Sequence, residues 1–266
     1  LASAGLVSGD SASEDSPYHP LHGLADGCTH VYQDLGSNIG VQVRKLFEPN
    51  KYPKAKQVNS IFHDNFGVDL EYRRRNVCAF GFEPNPAQAP LLRKLQAAYN
   101  RQGWRTHFFL KTAVSSYDGE ASLHAENANP ARHAWGSSIS HEKLRSMNET
   151  YTVRVIDITK FLIDVIGSRM TIGGESKGRV VAKLDVEGEE YKIVPALIST
   201  GAVCHIDILF VEWHGRFSDQ RTHRRVVAEF KEFYKYNTTK KSIPDCAHVL
   251  SMDLDDESYG TYTSNP

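Results

Sequence analysis

The residues of this chain that could do chemistry sit where apolar runs end. Asp34-Leu35-Gly36-Ser37-Asn38-Ile39-Gly40 follows a run that opens at His30-Val31-Tyr32, and Glu83 closes the run Val77 to Phe82. Asp185 and Glu187 close Val180 to Leu184, and Glu212-Trp213-His214 closes Ile206 to Val211. Gly36 and Gly40 would let the backbone approach a ligand closely. The amides of the helix that follows would favour a carboxylate, and Asp34 could take an ammonium. Ser37 and Asn38 complete that loop. Glu83 could accept two hydrogen bonds from ribose hydroxyls. Asp185 and Glu187, two apart on an extended chain, project to one side. They could orient a hydroxyl, take its proton, or hold a cationic group. His214 is a further base, because an imidazole ordinarily titrates near neutrality.

The spacing narrows the cofactor. The glycines read G-x-x-x-G rather than G-x-G-x-x-G, and no G-x-x-x-x-G-K-[ST] occurs. Both absences argue against a dinucleotide or a nucleoside triphosphate and for S-adenosylmethionine. Asp185, Glu187, Glu212 and His214 also form a donor set for a divalent ion, so a metal-assisted variant stays open.

These corners need a frame of alternating strands and helices. A strand over 29–35 leads to a helix carrying Val41, Val43, Leu46 and Phe47, with Ser37 or Asn38 as its cap and Pro49 as its stop. Residues 50–76 read as an insert with one short helix inside 53–66. Asp34 and Glu83 lie 49 positions apart, against ~20 in a plain βαβ unit, so the insert is expected to loop out over the site. A strand over 77–82 precedes the Pro84-Asn85-Pro86 turn and a helix to Arg101, with Leu91, Leu92, Leu95 and Ala98 at helical spacing. A third strand spans 106–115, Asp118-Gly119 reads as a hairpin turn into 121–124, and 125–150 reads as a polar lid. Strands at 151–156, 180–186, 206–211 and 249–254 alternate with helices near 157–166, 190–201 and 219–235. Such alternation gives an α/β fold with a mostly parallel sheet.

The 266 residues suffice for one large domain, and 40% hydrophobic and 24% charged residues are ordinary for a globular chain. Residues 1–27 read as a disordered lead or stem and 28–266 as one domain. A net charge of -1 gives no general field for nucleic acid, and no run nears the ~20 apolar residues of a membrane span. Arg73-Arg74-Arg75 and Arg221, Arg224, Arg225 read as solvated surface, with an acidic substrate as the sharper alternative. Of the four cysteines, Cys78 and Cys204 read as buried thiols, while Cys28 and Cys246 lie near segment ends, where a disulfide is open to them. The polar stem, the sequons at Asn148 and Asn237 and a start at Leu1, as in a processed chain, fit the secretory pathway, the Golgi lumen, better than the cytoplasm.

In their order along the chain, Asp34 to Gly40, Phe82-Glu83-Pro84-Asn85, Ala113-Val114-Ser115 with Asp118-Gly119, Gly136-Ser137-Ser138, Lys183-Leu184-Asp185-Val186-Glu187-Gly188 and Glu212-Trp213-His214 resemble the FkbM-type S-adenosylmethionine-dependent methyltransferases. The resemblance implies a Rossmann-like sheet of seven strands, one antiparallel, with helices on both faces. It implies methyl transfer to a hydroxyl of a glycan, sugar or other hydroxylated metabolite. By it, Asp34, Gly36, Asn38 and Gly40 line the methionine end, Glu83 holds the ribose, Ala113 and Val114 lie near the adenine, and Asp185 lies near the methyl group. The competing class is a catalytically silent Rossmann-like binding module; a nicotinamide oxidoreductase ranks third.

Overall fold

The computed structural model describes residues 21–125, 137–139, 149–174, 176–240 and 250–253. Its centre is a sheet of six parallel strands: β1 (His30–Leu35), β2 (Val77–Glu83), β3 (Thr106–Leu110), β7 (Val180–Leu184), β8 (Ile208–Val211) and β9 (Leu250–Asp253), in the order β3-β2-β1-β7-β8-β9. A separate three-stranded sheet holds β4 (Thr112–Ser115), β5 (Gly119–Ala125) and β6 (Glu149–Asp157) in the order β4-β6-β5. The expected α/β class and parallel sheet are present. The count of seven strands is not: among the described residues six lie in the main sheet, and the antiparallel pairing, β5 with β6, falls in the small one.

Both faces of the sheet are covered because its strands are apolar on both sides. On one face Tyr32, Ala79, Val181 and Phe210 pack against α1 (Val41–Phe47), α2 (Lys56–Phe66) and α4 (Ala89–Arg101) through Val43, Phe47, Phe62, Leu92 and Tyr99. On the other, Val31, Phe80, Ala182 and Leu209 meet α5 (Ile158–Phe161) and the π turn after it, α6 (Glu190–Thr200) and α7 (Gln220–Lys240) through Phe161, Ile166, Val194 and Phe230. Strand order runs outward from β1 in both directions, so a crevice opens beyond the carboxyl ends of β1 and β7, where such sheets bind ligands.

Several local expectations change. Residues 21–28 form turns that bury Ala25 and Cys28, so the packed chain starts ahead of Cys28. The insert holds two helices, α2 and α3 (Leu70–Asn76), and packs on a sheet face instead of looping over the site. Arg73 and Arg74 are not solvated. Arg73 is buried and donates to the Leu46 and Gly67 carbonyls, and Arg74 donates to the Phe47 carbonyl and stacks on Trp104 at 4.3 Å. They thus cap the carboxyl end of α1, where cations are favoured. The expected strand over 106–115 divides at Lys111, whose φ of 54° sends β3 and β4 into different sheets. Asp118-Gly119 is no hairpin, because β6 lies between β4 and β5; Asp118 instead accepts from the Asp157 amide at 3.0 Å. At the open side of β3, Gln96 accepts from the Phe108 amide at 2.6 Å, and the Asn100 side chain bonds both the amide and the carbonyl of Thr106. Cys78 is not a thiol: it forms a disulfide with Cys28, and Cys204 is disulfide-bonded too. Most of the expected lid, with Gly136 and Asn148, and Cys246 lie outside the described residues.

Candidate functional site

The loop after β1 is built by close backbone contact. The Gly36 and Ser37 amides donate to the Phe82 carbonyl at 3.1 and 2.9 Å, and the Asp185 amide donates to the Leu35 carbonyl at 3.0 Å. Gly36 has φ +89°, and a Cβ there would overlap the Asp185 carbonyl oxygen. Only glycine meets both demands. Gly40, at φ +77°, is the N-cap of α1; neither Ser37 nor Asn38 caps it by side chain, and Ser37 donates instead to the Asp34 carbonyl. Gly81 was not singled out from sequence, yet a Cβ there would overlap Phe108 and the Ser37 hydroxyl.

Asp34 is fully buried, and neither of its carboxylate oxygens has a hydrogen-bond partner. Burial raises its pKa to about 6; Lys183 opposes the rise and Asp185 adds to it. An orphaned buried carboxylate at a strand end is costly unless a ligand completes it. Glu83 accepts from the Asn38 amide at 2.6 Å and the Asn85 amide at 2.7 Å, which ties the loop after β1 to the turn after β2. Burial raises Glu83 to about 8, against the pull of those two amides. Each oxygen keeps a lone pair for a hydroxyl. Ala113 and Val114 lie buried in β4, just past the end of β3.

The second half of the crevice is a histidine among acids. His214 Nε2 lies 3.6 Å from Asp185, 3.4 Å from Glu187 and 3.5 Å from Glu212, and its Nδ1 lies 2.8 Å from Glu190. The structure therefore brings Asp185, Glu187 and His214 together. Burial alone would lower the His214 pKa, but the bonds to Glu190 and Glu212 and the nearby charges outweigh it and raise it to about 11. The imidazole thus holds its proton at neutrality, and the accepting lone pairs belong to the carboxylates. Burial raises Glu187, with His214 opposing, and its carboxylate also bonds Arg216 at 2.7 Å. Lys183 pairs with Asp185; burial would lower its pKa, but Asp185 and Asp34 together raise it.

Glu190 is the residue that sequence reasoning passed over. It is fully buried, and besides His214 it accepts from the Val186 amide at 3.1 Å and the Gly188 amide at 2.8 Å. It therefore fixes the turn that carries Glu187, whose φ is 52°, and the ring of His214 at once. The run Glu187-Gly188-Glu189-Glu190 announced a helix start, and an acid folding back onto preceding amides is the capping pattern that could have flagged it. Ser138 donates to the Glu187 carbonyl at 2.6 Å, and Asn85 reaches Ser137 at 3.3 Å, so residues 137–138 touch both halves of the crevice.

Comparison with known proteins agrees with this geometry. The methyltransferase FkbM domain family matches residues 34–246. The chain belongs to that family. No curated protein and no solved structure matches it. An FkbM methyltransferase uses S-adenosylmethionine, and the residues of this chain fit that cofactor: the orphaned Asp34 suits its ammonium, and Glu83 can meet ribose hydroxyls. The crevice is rich in carboxylates, which suits a sulfonium cation. Among the described residues, no helix of this methyltransferase is long and apolar enough to cross a membrane.

Proposed function

We propose that this protein transfers the methyl group of S-adenosylmethionine to a hydroxyl oxygen of a glycan, sugar or other hydroxylated metabolite. The observation that carries this reading is the acid cluster on His214, beside an unsatisfied Asp34, at the switch point of the sheet. When bound, the cofactor supplies a methyl group already activated as a sulfonium. The protein must then align the acceptor oxygen and remove its proton. Asp185 is the proton acceptor in this reading. Protonated His214, held by Glu190, donates to the acceptor oxygen or to Glu187 and fixes the approach. Lys183 keeps Asp185 oriented.

One observation favours a second, metal-assisted reading. Ligand atoms of Asp185, Glu212 and His214 lie within 4.8 Å of one another, and a divalent ion there would acidify the acceptor hydroxyl. The disulfides at Cys28–Cys78 and Cys204 support an oxidising compartment, the lumen of the secretory pathway.

The test is a labelled-methyl transfer screen across glycans and small hydroxylated compounds, with calorimetry of S-adenosylmethionine binding alongside. Binding with transfer to oxygen is the expected result. Absence of binding would favour a silent binding module, and transfer to nitrogen or carbon would overturn the hydroxyl assignment. Full activity after thorough chelation would remove the metal-assisted reading.

A further inference from the structure

The segment that leaves the crevice after His214 has the opposite charge to the crevice interior. From Arg216 to Arg225 the chain carries four arginines and one acid, Asp219, in a protein of net charge -1. This basic turn is fixed against the site. His223 bonds the Tyr191 hydroxyl at 2.7 Å and meets the Trp213 ring edge-on, and Trp213 is the neighbour of both Glu212 and His214. Arg216, 60% exposed, reaches back to Glu187 and lies over the Phe217 ring at 4.9 Å, so its guanidinium stands at the border between acid interior and basic rim.

The other arginines face outward. Asp219 is occupied as the cap of α7, accepting from the Arg221 and Thr222 amides at 2.9 Å. Arg225 pairs with Glu229 at 3.1 Å. Arg221 and Arg224 are exposed and bond no carboxylate among the described residues. At a spacing of three they share one face of the helix. Solvent meets these guanidiniums in the free protein, which leaves them open to an anion, whereas the carboxylate-lined interior repels a negative group placed near the reacting centre.

We infer that the acceptor carries an anionic group, a carboxylate or a sulfate ester, set back from the reacting hydroxyl, and that Arg216, Arg221 and Arg224 bind it. This deepens the methyltransfer reading and rests on it. Guanidinium groups suit both anions because they offer paired N–H donors in a plane. The acids inside then admit only the uncharged hydroxyl end, which gives the acceptor one orientation.

The experiment compares matched acceptors with the full chain: oligogalacturonate against its carboxyl-reduced form, and chondroitin sulfate fragments against their desulfated form. The expected result is kcat/KM at least tenfold higher for one anionic member than for its partner, an advantage that shrinks as salt rises. Arg221→Ala with Arg224→Ala should remove most of that advantage through KM. Equal rates for anionic and neutral partners, or an advantage the double variant keeps, would overturn the inference. If none of these is methylated, binding of the same fragments in the presence of S-adenosylhomocysteine decides: binding lost in the double variant supports it, and no binding overturns it. S-adenosylmethionine calorimetry on the same samples separates the two readings. Failure to bind the cofactor sinks the methyltransferase proposal, whereas normal cofactor binding with indifference to acceptor charge sinks only the anionic acceptor.

Discussion

Replacing Asp34 by Asn should make the cofactor-free protein more stable while weakening its hold on S-adenosylmethionine. The side chain is fully buried without a hydrogen-bond partner, and burial raises its pKa from 3.8 to about 6. An acid whose folded pKa is raised binds more protons folded than unfolded between those values. Stability therefore falls as pH rises from about 4 to about 6, and the loss is complete at neutrality. A shift of this size corresponds to about 3 kcal/mol. Asn keeps the shape but carries no charge, so at pH 7 the variant should regain about that amount, a rise in Tm of roughly 6–12 °C for a chain of this size. At pH 4 the two proteins should melt nearly together. Binding should move the other way: losing a charge-assisted bond worth about 1.5–3 kcal/mol weakens affinity roughly 10–100-fold. The wild type should also bind about tenfold more weakly at pH 5 than at pH 7, and the variant should lack that increment. The assays are thermal melts across pH and calorimetry with the cofactor. A variant no more stable than wild type at pH 7, with native affinity, would refute the idea that Asp34 is a buried charge awaiting a cation.

Gly36→Ala should cost on the order of 3 kcal/mol and abolish cofactor binding, because a methyl at positive φ overlaps the Asp185 carbonyl oxygen and the backbone on both sides is bonded; a melt within 1 °C of wild type would contradict this. Glu190→Gln removes the largest of the contributions that raise His214. The His214 midpoint followed by NMR should drop from about 11, and the stability this shift provides, fully present below the ordinary histidine pKa and lost as pH rises through the folded value, should be smaller and should be exhausted at a lower pH. An unmoved midpoint would show that Glu190 does not control the ring. Changing Cys28 and Cys78 together to Ser opens a loop spanning 50 positions and should cost about 4 kcal/mol in denaturant unfolding. A loss below about 1 kcal/mol would mean the bridge constrains little.

What could be read from the sequence was local. The bend at Gly36, the acid at Glu83 and the pair Asp185 and Glu187 each follow an apolar run and announce their own strand end. What escaped depends on parts far apart in the chain. Cys78 finds Cys28 because it stands in register with Val31 across β1 and β2, and no property of either cysteine's neighbours signals that. Glu190 reads as one more acid at a helix start until β8 returns His214 to it. Lys111 interrupts a stretch that reads as one strand, and the slot between β4 and β5 is filled by a strand arriving about thirty residues later. The arginines of α3 look like surface because their partners, the carbonyls closing α1, carry no side-chain signature.

The side-chain amides of Gln96 and Asn100 occupy three outward backbone groups of β3, the Thr106 amide and carbonyl and the Phe108 amide. A strand from a neighbouring molecule therefore meets an interrupted ladder on that flank, which works against sheet-to-sheet accretion there. Two uncharged side chains on one helix thus guard against self-association without adding any charge to the surface.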